Sequence, residues 1–210
     1  MEKLPPNVDV PVVVVATAGA GNVGLIALNL LLKFCDGKRF GELYSKSLPD
    51  YITVENSGVC HLPRFDLYSS RNVRPNLVFV MSDSLILSNE PRSHYDVFDE
   101  IVEFAIQLRP SLIVGIDGIV EATKDSNAIY AAATSSDLVK RFCQFGARVY
   151  NAGRLPGSVG LLIGLCEYHG VGGVGILGST GSFVSSTEAG KRVHDFLTRT
   201  LSISKTTESD

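Results

Sequence analysis

The chain has 210 residues, 45% of them apolar and 20% charged, and a net charge of −3 from 19 basic and 22 acidic side chains. That length and composition suit one α/β domain that folds without a metal or disulfide staple, and they exclude a disordered chain. No Lys/Arg run exceeds two residues and no apolar run approaches the roughly 18 residues of a membrane span, so neither nucleic-acid binding through phosphate neutralisation nor membrane attachment is expected.

Residues 1–9 read as a loose polar arm. Pro11–Ala16 is a β-branched run and predicts a buried strand. After a glycine-rich turn, Val23, Ile26, Ala27, Leu30, Leu31 and Phe34 recur at helical spacing with further leucines between them, so 23–34 is a helix apolar on most of its surface. Such a helix is buried or pairs with another chain, which makes Val23, Ile26, Leu30 and Phe34 candidate interface residues. Gly37 is its expected cap. Phe40–Tyr44, Tyr51–Val54 and Val59–Tyr68 have strand composition, separated by turns at Pro49-Asp50 and Asn56-Ser57-Gly58. Asn76–Met81 is a second continuous apolar strand, Tyr95–Leu108 an amphipathic helix stopped by Pro110, and Ser111–Ile116 a third buried strand. Ala128–Ala133 reads as a strand and Ser136–Phe145 as a helix with Ser135 or Ser136 as N-cap. Leu161–His169 is a helix entered from Gly157-Ser158-Val159-Gly160, Val171–Leu177 a glycine-interrupted strand and Thr187–Leu201 the last helix. Residues 202–210 read as a polar tail. Buried strands alternating with helices predict a single α/β domain over 10–201, a mixed central sheet with helices on both faces.

Three glycine-rich or hydroxyl-rich passages fall at strand ends. Gly19-Ala20-Gly21-Asn22-Val23-Gly24 matches G-x-G-x-x-G between a strand and a helix. Such glycines let a backbone approach a pyrophosphate, and equally let a strand turn tightly into a helix; the following segment lacks the acidic residue a dinucleotide ribose would need. Asp117-Gly118 suits a ribose hydroxyl, or a turn in which Asp accepts backbone hydrogen bonds. Gly178-Ser179-Thr180-Gly181-Ser182 suits a phosphate cradle or a polar turn. Gathered on one sheet edge, Gly19, Gly21, Asn22, Gly24, Asp117, Ser179 and Thr180 form the candidate ligand set.

No catalytic set emerges. There is no G-x-S-x-G elbow and no Walker A pattern, and Cys60-His61 are neighbours that a strand points to opposite faces. His61, His94, His169 and His194 follow no metal-binding spacing, so neither a metal nor a cofactor is expected. The four cysteines at 35, 60, 143 and 166 form no CxxC pair and read as buried free thiols in a reducing cytoplasm; a Val12–Ala20 secretory core is disfavoured by its flank, one Lys followed by Pro5-Pro6 and Asp9.

In order and spacing, four passages resemble the proteasome assembly chaperone family, in the branch named for its second member and common in archaea and bacteria: Gly19–Leu32, Pro75–Pro91 with the following Tyr95, Ile113–Gly118 and Leu155–Gly181. The resemblance spans nearly the whole chain and includes the Thr187-Glu188-Ala189 helix start. It implies a nucleoside-phosphorylase-like fold, homo-oligomers, and a non-enzymatic assembly factor or adaptor that binds proteasome subunits, α subunits among the candidates, or related partners. Some members dock through a hydrophobic–Tyr–any tail; residues 208–210 here read Glu-Ser-Asp, outside that pattern. The phosphorylase-like fold leaves a second expectation open, a binding protein or enzyme for a nucleoside or phosphate-bearing ligand, and the glycine turn a third, an NAD-dependent oxidoreductase.

Overall fold

The computed structural model describes residues 9–84, 91–120, 127–181 and 186–206. Its centre is β1 (Val12–Thr17), in which every residue is buried. Four consecutive valines suit a strand covered on both faces. Val12, Val14 and Ala16 enter one hydrophobic layer, Val13 and Val15 the other. The chain continues through α1 (Val23–Phe34), β2 (Lys38–Leu43), a small hairpin of β3 (Thr53–Val54) and β4 (Cys60–His61), then β5 (Phe65–Ser70), β6 (Val73–Arg74) and β7 (Leu77–Ser82). It goes on with α2 (Pro91–Gln107), β8 (Leu112–Val120), β9 (Ile129–Ala133), α3 (Ser136–Cys143) and β10 (Arg148–Val149), and ends with α4 (Gly157–Tyr168), β11 (Gly173–Thr180), α5 (Thr187–Thr200) and β12 (Ser204–Lys205).

Eight strands form one sheet in the order β10-β9-β11-β8-β1-β7-β5-β2. The middle four, β11, β8, β1 and β7, are parallel. β9 joins β11 antiparallel, and β5 and β2 complete the other side antiparallel. The sheet is thus mixed, as the sequence predicts. The edge strand β2 carries a bulge between Arg39 and Gly41. It is laced to β5 by Arg39 and Arg64, which pair with Asp66 at 2.5 and 3.0 Å; Arg39 also pairs with Glu42.

One face of the sheet is covered by α1, α3 and α5 through Ala27, Leu28, Leu31, Phe142, Val193 and Phe196. The opposite face is covered by α2 and α4 through Phe98, Ile101, Val102, Phe104, Leu162 and Cys166. Helix α1 sits so close to the sheet that a β-carbon at Gly24 would overlap the Ile116 carbonyl oxygen.

Two helices, α3 and α5, begin at serine caps. The Ser135 and Ser186 hydroxyls accept from Leu138 and Ala189 N–H as N-caps. At the end of α1 the left-handed residue is Asp36 (φ 51), and Gly37 instead donates its N–H to the Leu32 carbonyl at 2.9 Å. Several boundaries differ from the sequence expectation. Pro63 splits Val59–Tyr68 into β4 and β5. Helix α4 begins at Gly157, four residues before its expected start, and α2 begins at Pro91. The chain stays packed past 201: Ile203 is buried and β12 pairs with β6, so the polar tail does not begin at 202.

Candidate functional site

The parallel strands β1, β7, β8 and β11 all point their C-terminal ends to one sheet edge, the usual ligand side of an open α/β sheet. The candidate ligand residues do gather there. Residues 85–90, 121–126 and 182–185, which follow β7, β8 and β11, lie outside the described residues, and Ser182 with them.

Most of the gathered set is turned inward. β11 runs through Gly178-Ser179-Thr180 instead of ending before it, because these residues continue the parallel ladder with Gly118, Ile119 and Val120 of β8. Ser179 and Thr180 are 1% and 3% exposed, sheet residues where a loop was expected. The Ser179 carbonyl accepts from Arg192 Nη2 at 2.8 Å.

Asp117 closes over the glycine turn. Its Oδ1 accepts the Gly118 N–H at 2.7 Å, and the Ala20 backbone also hydrogen-bonds to this carboxyl. Burial nevertheless outweighs those bonds and pushes the carboxyl up to about 6. Gly19 lies against the carboxylate, where any β-carbon would overlap it. Gly21 has a left-handed backbone (φ 60), and its carbonyl accepts the Ser186 N–H at 2.8 Å. Gly24 is buried on β8. Of the seven candidates, Asn22 is the exposed one, and Gly19 and Asp117 are half-buried. The glycines of the G-x-G-x-x-G passage therefore serve a close approach of turn and helix to β8, with Asp117 accepting backbone hydrogen bonds.

The candidate interface residues of α1 are engaged within the chain. Val23 is fully buried against Gly118 and Gly178, which removes it as a contact for another chain. Ile26 is half-buried against Gly190 of α5. Phe34 meets the His194 ring edge-on at 6.2 Å, with Lys205 Nζ 5.7 Å from its centroid. Leu30 is half-buried. The helix is apolar nearly all round because the sheet takes one side and α5 another.

Exposed apolar surface lies elsewhere. A cavity of about 690 Å³ opens between α2 and α4, lined by Tyr95, Phe98, Leu155, Gly157, Leu161 and Leu165 among others. Tyr95 and Tyr168 stand at its rim, 57% and 79% exposed. Beside His169 Nε2, Asp99 Oδ1 ties the two helices at 2.6 Å. Near the start of α2, Ser47 Oγ is 3.2 Å from Asp96 Oδ2, which ties the approach to the β3–β4 hairpin to this helix. On and around that hairpin Tyr51, Ile52, Val54, Val59 and Leu62 are all exposed. One sequence signal was available for α4: it has a single charge, Glu167, and is nearly as apolar as α1.

Among the described residues no group of three His, Cys, Asp or Glu side chains gathers as metal ligands do. All four cysteines are free; Cys35 and Cys166 are buried, Cys143 half-buried and Cys60 exposed. Cys60 departs from the expected burial because it lies in a separate two-stranded hairpin and not in the main sheet. No helix among the described residues is long and apolar enough to cross a membrane.

A family model described as the PAC2 family matches residues 13–210. An uncharacterized protein of Methanocaldococcus jannaschii is 25% identical over 177 residues, covering 83% of this chain and 67% of the relative. The fold is similar to that of Pyrococcus furiosus PbaB, described as an archaeal proteasome activator, with a TM-score of 0.86 at 23% identity over 97% of this chain and 88% of that one. It is also similar to P. furiosus PbaA, an archaeal homolog of proteasome-assembly chaperone, with a TM-score of 0.79 at 22% identity over 97% and 82%. A proteasome-assembly chaperone homologue of Mycobacterium tuberculosis gives 0.69 at 17% identity over 92% and 87%.

Proposed function

Because the chain belongs to the PAC2 family, we propose that it is a non-enzymatic assembly factor or adaptor that binds proteasome subunits or closely related protein partners. The family membership carries this reading. Two solved structures that share its fold, PbaB and PbaA, are described as a proteasome activator and a proteasome-assembly chaperone homolog, which supports it. The exposed apolar side chains around the β3–β4 hairpin supply surface for a protein partner, and an adaptor needs such surface more than a pocket. The inward turn of Ser179, Thr180 and Gly24 weighs against the alternative of a nucleoside or phosphate ligand at the sheet edge. The chain works as a homo-oligomer in the cytoplasm, where its four thiols stay reduced.

The test is capture of partners by the tagged full-length chain from its native host, read by mass spectrometry. Proteasome α subunits in stoichiometric amount are the expected result. Recovery of the chain alone overturns the reading. An Ile52→Glu, Val59→Glu double variant should lose the captured subunits while keeping its melting temperature, because both side chains are exposed.

A further inference from the structure

Helix α4 turns one face to solvent, on which Gly157, Gly164, Glu167 and Tyr168 are exposed and Leu161 half-buried. Gly164 is the anomaly on that face. A glycine inside a helix is destabilising relative to alanine, because its backbone gives up more freedom on folding. The other glycines of α4 have reasons within the chain. Gly157 has φ 84, and a β-carbon at Gly160 would overlap the Leu155 carbonyl oxygen. Around Gly164 a β-carbon would meet no atom of the described residues within 4 Å. Among the described residues nothing asks for a glycine there, whereas a residue without a side chain lets a second backbone come close.

Small and large residues alternate along the face as Gly157, Leu161, Gly164, Tyr168. An antiparallel copy of that pattern matches it: Leu161 falls over Gly164, and Tyr168 over Gly157, each twice by symmetry. The protruding part is prepared. Tyr168 is 79% exposed, its ring rests edge-on against His169 at 5.2 Å, and His169 is held by Asp99. The receiving part is prepared as well, since Gly157 and Leu161 line the cavity between α2 and α4. Charge agrees with the same arrangement. Helix α4 has no acidic residue in its first turn, and Glu167 sits in its last turn, where its own helix dipole disfavours it. Antiparallel pairing carries Glu167 to the positive end of the facing helix.

We propose that the exposed face of α4 pairs antiparallel with the same face of a second copy of this chain, with Leu161 over Gly164 and Tyr168 seated in the hollow beside Gly157. The pairing does not rest on the proteasome reading; a self-paired chain that captures no proteasome subunit leaves this inference standing.

The experiment is native mass and sedimentation equilibrium on the full chain, with a circular-dichroism melt for each variant. Wild type is expected to assemble in multiples of two. Gly164→Phe is expected to halve the native mass while its melting temperature holds, because the added side chain starts from an exposed position whose β-carbon meets no described atom within 4 Å. Tyr168→Ser is expected to weaken self-association by roughly thirtyfold, the loss typical of a central interface aromatic. A wild type that sediments as a monomer overturns the proposal, and so does a folded Gly164→Phe protein that keeps its full mass. Should Gly164→Phe not fold, Gly164→Ala and Tyr168→Ser carry the test: wild-type association in both overturns it, and weakened association with a melt no lower than that of wild type upholds it.

Discussion

Asp117 couples the fold to pH. Its carboxyl titrates near 3.8 in the unfolded chain and at about 6 in the folded one, raised by burial against the hydrogen bonds of Gly118 and Ala20. The folded state therefore holds an extra proton between those two values. The stability this group contributes is fully present below about pH 4 and is lost as pH rises to about 6. A shift of that size corresponds to at most about 3 kcal/mol. Urea unfolding of wild type and Asp117→Asn should show the variant gaining on wild type by about 1–3 kcal/mol between pH 4 and pH 7. A wild-type-minus-variant difference that stays flat across that range contradicts the buried carboxyl. The thiols divide in a similar way. Burial pushes Cys35 up to about 11, with Asp36 adding to it, and pushes Cys166 up to about 12. Cys60 is exposed on its hairpin. Alkylation of the folded protein at pH 8, mapped by peptide mass, should modify Cys60 first and reach Cys35 and Cys166 only on unfolding. Rapid modification of Cys166 would mean that the α2–α4 layer opens.

At the scale of single elements, α1 and α4 pose the same problem to a reader of the sequence. Both are apolar nearly all round, and periodicity does not say which face the rest of the chain will cover. Helix α1 turns out to be sandwiched by the sheet and α5, with Ile26 on Gly190. Ile26→Asp should therefore lower stability by about 2–3 kcal/mol, a drop of roughly 5–10 °C in melting temperature. A variant that melts normally but loses native mass would return α1 to the role of an interface. Among the described residues helix α4 is covered on one side only, and what sets its face apart is Gly164, whose surroundings become visible only in three dimensions. Strands were legible where apolar residues run without interruption, as in β1, β7 and the first half of β8. The end of β11 was not, because Gly178-Ser179-Thr180 has turn chemistry that pairing with β8 overrides. The glycine turn was legible as a turn; its ligand role was not decidable, since both roles need the same small residues.

At the scale of the molecule, the mixed sheet and its two helical layers follow from the alternation of buried strands and helices. The antiparallel wings could not be ordered from sequence, because strand neighbours in β2, β5 and β9 are chosen by tertiary contacts. Those wings decide where the sheet ends. On one side it ends in β2, which begins Lys38-Arg39, carries a bulge and is cross-braced by four charged side chains. On the other it ends in β10, only two residues long. A charged, bulged or very short margin is a poor template for an incoming strand. The consequence concerns how this chain can grow into larger objects. Open-ended pairing of sheet edge to sheet edge, the route to fibrils, is blunted at both margins, so any assembly it builds is joined through helices and loops and can close on itself at a finite size.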